Sequence, residues 1–440
     1  MTTACHGRSS LVTPIAPLLA ARQFIDKISK PTTILAAVSG GSDSTGLLIA
    51  LQLALREAGR SDVQLHAVTI DHALRSESAM EAQGVARLCE RIDIPHHIRR
   101  WDGDKPKSGV SAAARLARYG LIGAVAEDIG ADLAVVGHTL GDQQETIAMR
   151  SARSQRADNL GLAGMADGVL YDRRLWILRP FLNCTRQDIR DFLCEQGLTW
   201  YDDPSNDDMK YERVRMRKVA SGMLIDRSIN RAELSELAAQ LIEDYGISDG
   251  GNIFALKREA FDADPATLRY ALSVLACVAG GRRFAMAADS MDKMMACATP
   301  EGVGKMTAGR VMFDRRKDVL YLVREERGIE TLQVSAGETR VWDERFEIKN
   351  NFAFDMVVRA CGKEAQGAGV VTDFPPGVVR RARQAMPMFE GQQGQVLSAG
   401  NVEWRRMIAP YDLFLPRFDL TLANAIAGLV GREAYPLAPV

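Results

Sequence analysis

The chain has 440 residues, too many for one ordinary domain, so two or three are expected. Its 47% hydrophobic and 25% charged residues describe a soluble globular protein, and a net charge of −1 excludes a global basic field. Any nucleic acid must then be held by local patches. The seven cysteines (Cys5, Cys89, Cys184, Cys194, Cys277, Cys297, Cys361) are scattered without a Cys-x-x-Cys pair. That argues against a zinc ribbon or an iron–sulfur cluster and fits reduced thiols in a cytoplasmic protein.

Residues 11–21 have the apolarity of a signal-peptide core, but Pro14 and Pro17 interrupt them and no strongly basic segment precedes them. Leu18, Leu19, Phe24, Ile25 and Ile28 predict an N-terminal helix instead. No apolar run is long enough to span a membrane, so no membrane partner is expected.

Residues 33–38 form a β-favouring apolar run and residues 45–55 a Leu-rich helical pattern. Between them stands Ser39-Gly40-Gly41-Ser42-Asp43-Ser44. A Ser/Gly cluster alone is most often a plain turn. Between a strand and a helix it gains a chemical use. Glycines allow unusual backbone angles and close approach of a ligand, and amides at a helix start converge on an anion. Asp43 is the one acid here. Mg²⁺ is usually held by one or two carboxylates plus phosphate oxygens, so Asp43 is the candidate metal ligand and ATP the candidate nucleotide. No Gly-Lys-Ser/Thr ending follows, so the loop is not of the Walker type.

Predicted elements then alternate: a strand over 63–70 ending in Asp71-His72, a helix over 77–91, a short strand over 95–98, a helix over 111–128 and a strand over 133–136. Alternation predicts a doubly wound parallel sheet with ligands at the carboxyl ends of its strands. The polar clusters 39–44, Asp71-His72 and Gly137-His138 fall there. Arg115 and Arg118 share a helix face, which on spacing alone reads as a solvated basic surface. Asp142 and Glu145 would lie together on the opening turn of the next helix. The bland reading is a capping box with Asp142 as N-cap and Glu145 as its partner. The functional one is a pair of carboxylates that binds an amine, holds a metal, or takes a proton from an ammonium. Residues 150–159 read as a polar, arginine-bearing loop.

The loop resembles that of the ATP pyrophosphatases, the PP-loop superfamily. Further segments extend the resemblance: residues 71–78, 114–119, Gly137-His138 with residues 142–146, 161–165, Arg179-Pro180-Phe181-Leu182, Trp200-Tyr201-Asp202-Asp203-Pro204-Ser205-Asn206, and Tyr211-x-Arg213-x-Arg215-x-Arg217. Together they are similar to the tRNA(Ile)-lysidine synthetase family. The resemblance implies ligation of free L-lysine to C2 of the wobble cytidine of tRNA(Ile) with a CAU anticodon, through an adenylated cytidine, with ATP and Mg²⁺. It implies that Ser39, Gly40, Gly41, Ser42, Asp43, Ser44, Asp71 and His138 bind the nucleotide and that Asp43 holds the metal. Glu145 would take the lysine ammonium, Asp142 would assist its deprotonation or the metal, and Arg118 and the arginines near 213–217, Arg213 among them, would contact phosphates of ATP or tRNA. Where many members read Gly-His-His-x-Asp-Asp-Gln-x-Glu-Thr, this chain has Thr139 and Gly141. The alternative is another PP-loop enzyme, a tRNA thiolase or a small-molecule amide synthetase.

The expected architecture is therefore α/β. A PP-loop catalytic domain spans 1–225, a mainly helical α+β domain spans 226–328, and a smaller β-containing domain spans 329–440, the last two holding tRNA. Helices are predicted at 230–245, 264–279 and 285–297, and strands at 305–313, 319–325, 341–348 and 354–358. Arg380, Arg381, Arg383, Arg405 and Arg406 are candidate phosphate contacts, with surface charge the simpler reading. A homodimer is compatible with the chain, but nothing in the sequence specifies it.

Overall fold

The computed structural model describes residues 13–74, 78–103, 105–154, 156, 159–201, 230–298, 304–365, 373–398 and 402–440. The chain divides into two compact units, Met1–Asn230 with Leu437–Val440, and Arg231–Pro436. Among the described residues no helix is long and apolar enough to cross a membrane.

In the first unit, α1 (Pro17–Ile25) precedes β1 (Thr32–Ala37) and α2 (Ser42–Glu57). Then come β2 (Val63–Asp71), α3 (Ser78–Arg91), β3 (His96–Arg100), α4 (Val110–Ile129), β4 (Leu133–Val136) and α5 (Leu140–Arg153). Next among the described residues are β5 (Gly168–Tyr171), β6 (Leu175–Leu178) and α6 (Arg186–Glu195). Among the described residues its six strands run in the order β3-β2-β1-β4-β6-β5. All neighbours are parallel except the hairpin β5–β6. The doubly wound sheet expected from the alternation is present. Ile34, Leu35 and Ala36 of β1 are almost fully buried, as a strand covered on both faces must be. The chain reverses sheet direction between β1 and β4, so the loops after these two strands open side by side.

In the second unit, α7 (Arg231–Tyr245), β7 (Gly246–Ser248), β8 (Ile253–Lys257), α8 (Pro265–Gly280) and α9 (Ala288–Ala298) are followed by β9 (Gly304–Ala308), β10 (Val311–Arg315) and β11 (Val319–Arg324). The five strands form an antiparallel sheet ordered β7-β8-β11-β10-β9. Two three-stranded sheets follow: β12 (Leu332–Val334), β15 (Met356–Ala360) and β16 (Pro387–Glu390), and β13 (Thr339–Trp342), β14 (Phe346–Lys349) and β17 (Glu403–Arg406). They share a core of Val334, Trp342, Phe346, Ile348, Met356, Val358 and Phe389. Helix α10 (Pro376–Gln384) sets Val378 and Ala382 against Ile253 and Val323 of the five-stranded sheet, and α11 (Leu420–Leu429) packs on α7.

Two predicted strands are hairpins. The run 305–313 folds back at Gly309-Arg310 and the run 341–348 at Asp343-Glu344, all four residues at positive φ. Arg310 and Glu344 are residues that seldom adopt this conformation, which hid both turns. Asp343 is held there by buried charge. Its carboxylate accepts from Arg324 at 2.9 and 3.0 Å, from Arg345 at 2.6 Å, and from Arg310. Arg406 is not surface charge either. It is buried, its guanidinium 4.8 Å from the Phe346 ring centre and its Nη1 donating to Asn252, whereas Arg405 pairs with Glu347 in the open.

Candidate active site

The loop after β1 is shaped by one glycine. Gly40 sits at φ +88°, where a side chain would be strained, and a Cβ there would also stand 3.1 Å from the Tyr201 ring. The Tyr201 amide donates to Gly40 O at 2.9 Å. Ser44 stitches the loop: its Oγ accepts from the Ser39 amide at 3.1 Å and lies 3.2 Å from Gly41 O. Gly41 is the N-cap of α2 and no side chain caps the helix. Its first-turn amides are thus left for an outside anion.

The loop after β4 comes as close as backbone can. A Cβ on Gly137 would be 2.8 Å from Asp43 O and 2.9 Å from Ser44 N, so only glycine fits. Thr139, fully buried, is the N-cap of α5. Its amide and hydroxyl donate to Asp142 Oδ2 at 2.7 and 2.9 Å. The capping box is therefore Thr139–Asp142, not Asp142–Glu145, because α5 begins at Leu140. Thr139 thereby fixes the Asp142 carboxylate, and Glu145 follows one turn on, buried.

The side chain that joins these clusters is one that the sequence reading did not single out. Arg186 is the first residue of α6, whose N-cap Thr185 accepts from the Asp188 amide at 3.1 Å. Gly46 lets α6 settle on α2, since a Cβ there would collide with Ile189 Cγ2. Asp43 lies three residues before Gly46 and Arg186 three before Ile189, so this one contact sets the pair face to face. Arg186 Nε donates to Asp43 Oδ2 at 3.0 Å, and its Nη2 stands 3.9 Å from Asp142 Oδ1. Burial alone would lower the Arg186 pKa, but Asp43, Asp142 and Glu145 outweigh it and hold it above its ordinary value. Burial raises the Asp43 pKa, only partly opposed by Arg186. The signal that would have revealed α6 is Thr185-x-x-Asp188 after Pro180, a helix start.

A second arginine, Arg179, is buried and tunes His138. Arg179 Nε donates to His138 Nδ1 at 3.2 Å and its Nη1 to Ala166 O at 2.7 Å. A guanidinium only donates, so Nδ1 is the bare nitrogen and Nε2 carries the hydrogen. Burial, then Arg179, push the His138 pKa down to about 3, so the ring is neutral. Arg115 and Arg118 are half-buried, 4.9 and 5.9 Å from the ring centre of buried Tyr119, not an outward basic face. Arg118 also lowers the His72 pKa, second to burial, and His72 Nδ1 is buried with no hydrogen-bond partner among the described residues. Asp71 ends β2 and accepts from Ser78 Oγ at 2.6 Å and the Ala73 amide at 2.8 Å. Burial would raise its pKa, but these bonds prevail and lower it.

The arginines of the segment 150–159 behave differently from a free loop. Arg150 belongs to α5 and donates to Gly161 O at 2.9 Å and Gly164 O at 2.8 Å. Gln143 trades two bonds with the Met165 backbone, which ties 161–165 to the helix. Arg213, with the rest of 202–229, lies outside the described residues. Among the described residues no group of three or more His, Cys, Asp or Glu side chains could hold a metal ion. Asp43, with Asp142 across Arg186, fits instead the one or two carboxylates by which Mg²⁺ is held beside phosphates.

A glycine loop at the switch point of a parallel sheet, with an uncapped helix behind it, defines an ATP-using protein of the PP-loop class. A PP-loop domain model matches residues 18–222. The chain is 40% identical to the tRNA(Ile)-lysidine synthase of Rhizobium meliloti, over 97% of this chain and 98% of that one. It is 36% identical to the protein of the same name from Mesorhizobium japonicum, over 92% and 94%. The chain belongs to the tRNA(Ile)-lysidine synthase family, a family of ligases. These relatives do not favour the thiolase or amide-synthetase alternatives. A solved U34-tRNA thiolase from Methanococcus maripaludis aligns with a TM-score of 0.39 and 13% identity, over 46% of this chain and 70% of that one, too distant to carry an argument.

Proposed function

We propose that this chain joins free L-lysine to C2 of the wobble cytidine in tRNA(Ile) with a CAU anticodon, converting ATP to AMP and pyrophosphate. The observation that supports this most is the convergence of Asp43, Asp142 and Glu145 beside the PP-loop, in a chain of this family.

In the first step the C2 carbonyl oxygen attacks the α-phosphorus of ATP, and the bond to the β-phosphate breaks. The loop amides and the start of α2 hold the leaving pyrophosphate. Mg²⁺ on Asp43 would neutralise charge that develops there. His138 presents its Nε2–H as a neutral donor to the nucleotide, and Arg118 and Arg213 contact phosphates, Arg213 on the resemblance alone. In the second step Glu145 holds the lysine ammonium and Asp142 takes its proton. The free amine attacks C2, the C2–O bond breaks and AMP leaves. Asp142 is fixed for this by its two bonds from Thr139. Residues 226–328 and 329–440 would hold the tRNA, in the cytoplasm where it is used.

The two steps separate experimentally. Glu145→Gln is expected to keep tRNA-dependent exchange of labelled pyrophosphate into ATP without lysine, while lysine transfer falls roughly 100-fold or more. Loss of both activities together, or of neither, would contradict the division of labour.

A further inference from the structure

Arg186 has no part in the steps above, yet it is tied to the one carboxylate assigned to the metal. Both Asp43 oxygens are engaged: Oδ2 by Arg186 Nε at 3.0 Å and Oδ1 by Ser42 Oγ at 3.0 Å. A divalent cation on Asp43 would therefore meet a guanidinium already in contact with the same oxygen. Helix α6 is seated by Ile189 against Gly46, and the chain just before it by the Leu140 amide donating to Cys184 O at 2.9 Å. The side chain is less confined. It is 29% exposed, and its second arm reaches Asp142 only at 3.9 Å, too long for a hydrogen bond.

Phosphates arriving at the loop change this balance. A guanidinium offers a planar fork of donors that suits phosphate oxygens better than a single bond to one carboxylate oxygen. Resting on the assignment of Asp43 to the metal, we propose that Arg186 sets the order of binding. It keeps Asp43 closed to divalent cations in the free enzyme and hands it over when the phosphates of ATP draw the guanidinium away. Arg186 is a positioning residue for the metal carboxylate and then a phosphate contact. The arrangement would keep Asp43 from taking up a cation before the nucleotide is in place.

The test uses Mn²⁺ as a spin probe of the full chain, titrated alone and with a non-hydrolysable ATP analogue, with analogue affinity also measured in the absence of metal. The wild type is expected to bind Mn²⁺ weakly alone and tightly with the analogue. Arg186→Gln is expected to bind Mn²⁺ alone about tenfold tighter than the wild type and the metal-free analogue about tenfold more weakly, the size of one charge-assisted hydrogen bond. Arg186→Lys, which keeps the charge, is expected to stay close to the wild type in Mn²⁺ binding. Unchanged Mn²⁺ affinity in a folded Arg186→Gln would overturn the proposal, and so would an unchanged affinity for the analogue. Asp43→Asn separates the underlying reading: analogue-dependent Mn²⁺ binding that survives it would remove Asp43 as the metal carboxylate, whatever Arg186 does.

Discussion

At the scale of single residues, this site is made by side chains that set the state of others. Thr139 fixes Asp142, Arg179 fixes the His138 tautomer, and Arg186 restrains Asp43. The residues gathered at the candidate site could be picked out in the sequence because the loop and the 138–145 cluster each follow an apolar strand. Their supports were less so. Thr139 looked like a departure from the family pattern and proves to be the N-cap, a role that its residue type allows but that shows only once the start of α5 is known. Arg186 and Gly137 matter through contacts across 143 and roughly 94 positions of chain, which no local pattern encodes. The histidines carry a testable consequence. His138, held near 3, and His96, held near 4 by burial and His97, are neutral in the native protein, while in the unfolded chain each takes a proton below its ordinary value of 6.5. The unfolded state then binds more protons, so stability falls as pH drops from 6.5 toward 4, by up to about 1.4 kcal/mol per pH unit for each ring. His138→Asn is expected to flatten that slope in denaturant titrations between pH 6.5 and about 4.5. A slope equal to the wild type's would contradict a neutral, buried His138.

At the scale of elements, the order and type of the first unit's elements could be read from hydrophobic period and turn residues. Helix α4, expected over 111–128, is Val110–Ile129, and β4 falls at its expected place. What escaped was turn chemistry and short elements. Arg310 and the pair Asp343-Glu344 occupy positions where glycine or asparagine would have announced a hairpin. Strands β5 and β6 are four residues each, too short for alternation to show. The packing of α6 on α2 is the contact on which the site most depends. Gly46→Ala places a methyl against Ile189 and is expected to cost about 1–3 kcal/mol of stability. Ile189→Ala makes room for that methyl, so the double variant should lose less than the two single losses added together. Strict additivity in equilibrium unfolding would mean that Gly46 and Ile189 do not share the space.

At the scale of the whole molecule, a chain of net charge −1 must meet a polyanion through local groups. Several arginines are already committed inside the protein: Arg150 to carbonyls, Arg406 to Phe346 and Asn252, and Arg324 and Arg345 to Asp343. With a net charge of −1 and no global basic field, the contacts to phosphate are expected to be few. Affinity for unmodified tRNA(Ile) is therefore expected to fall by roughly 10- to 100-fold between about 50 and 200 mM salt, less than for a protein with a broad basic face. Salt-independent binding would contradict an electrostatic contact altogether. The partition of labour between 226–328 and 329–440 was read from resemblance, and the second unit's mixture of one five-stranded and two three-stranded sheets was not legible from its weakly patterned sequence. The most direct measurement is transfer of labelled lysine, with ATP and Mg²⁺, to unmodified tRNA(Ile) carrying CAU, beside initiator and elongator methionine tRNAs. The expected result is label on the isoleucine tRNA alone, lost in Asp142→Ala and Glu145→Ala while tRNA binding persists. Label on no tRNA from folded, ATP-binding protein, or wild-type rates in both variants, would contradict the central claim.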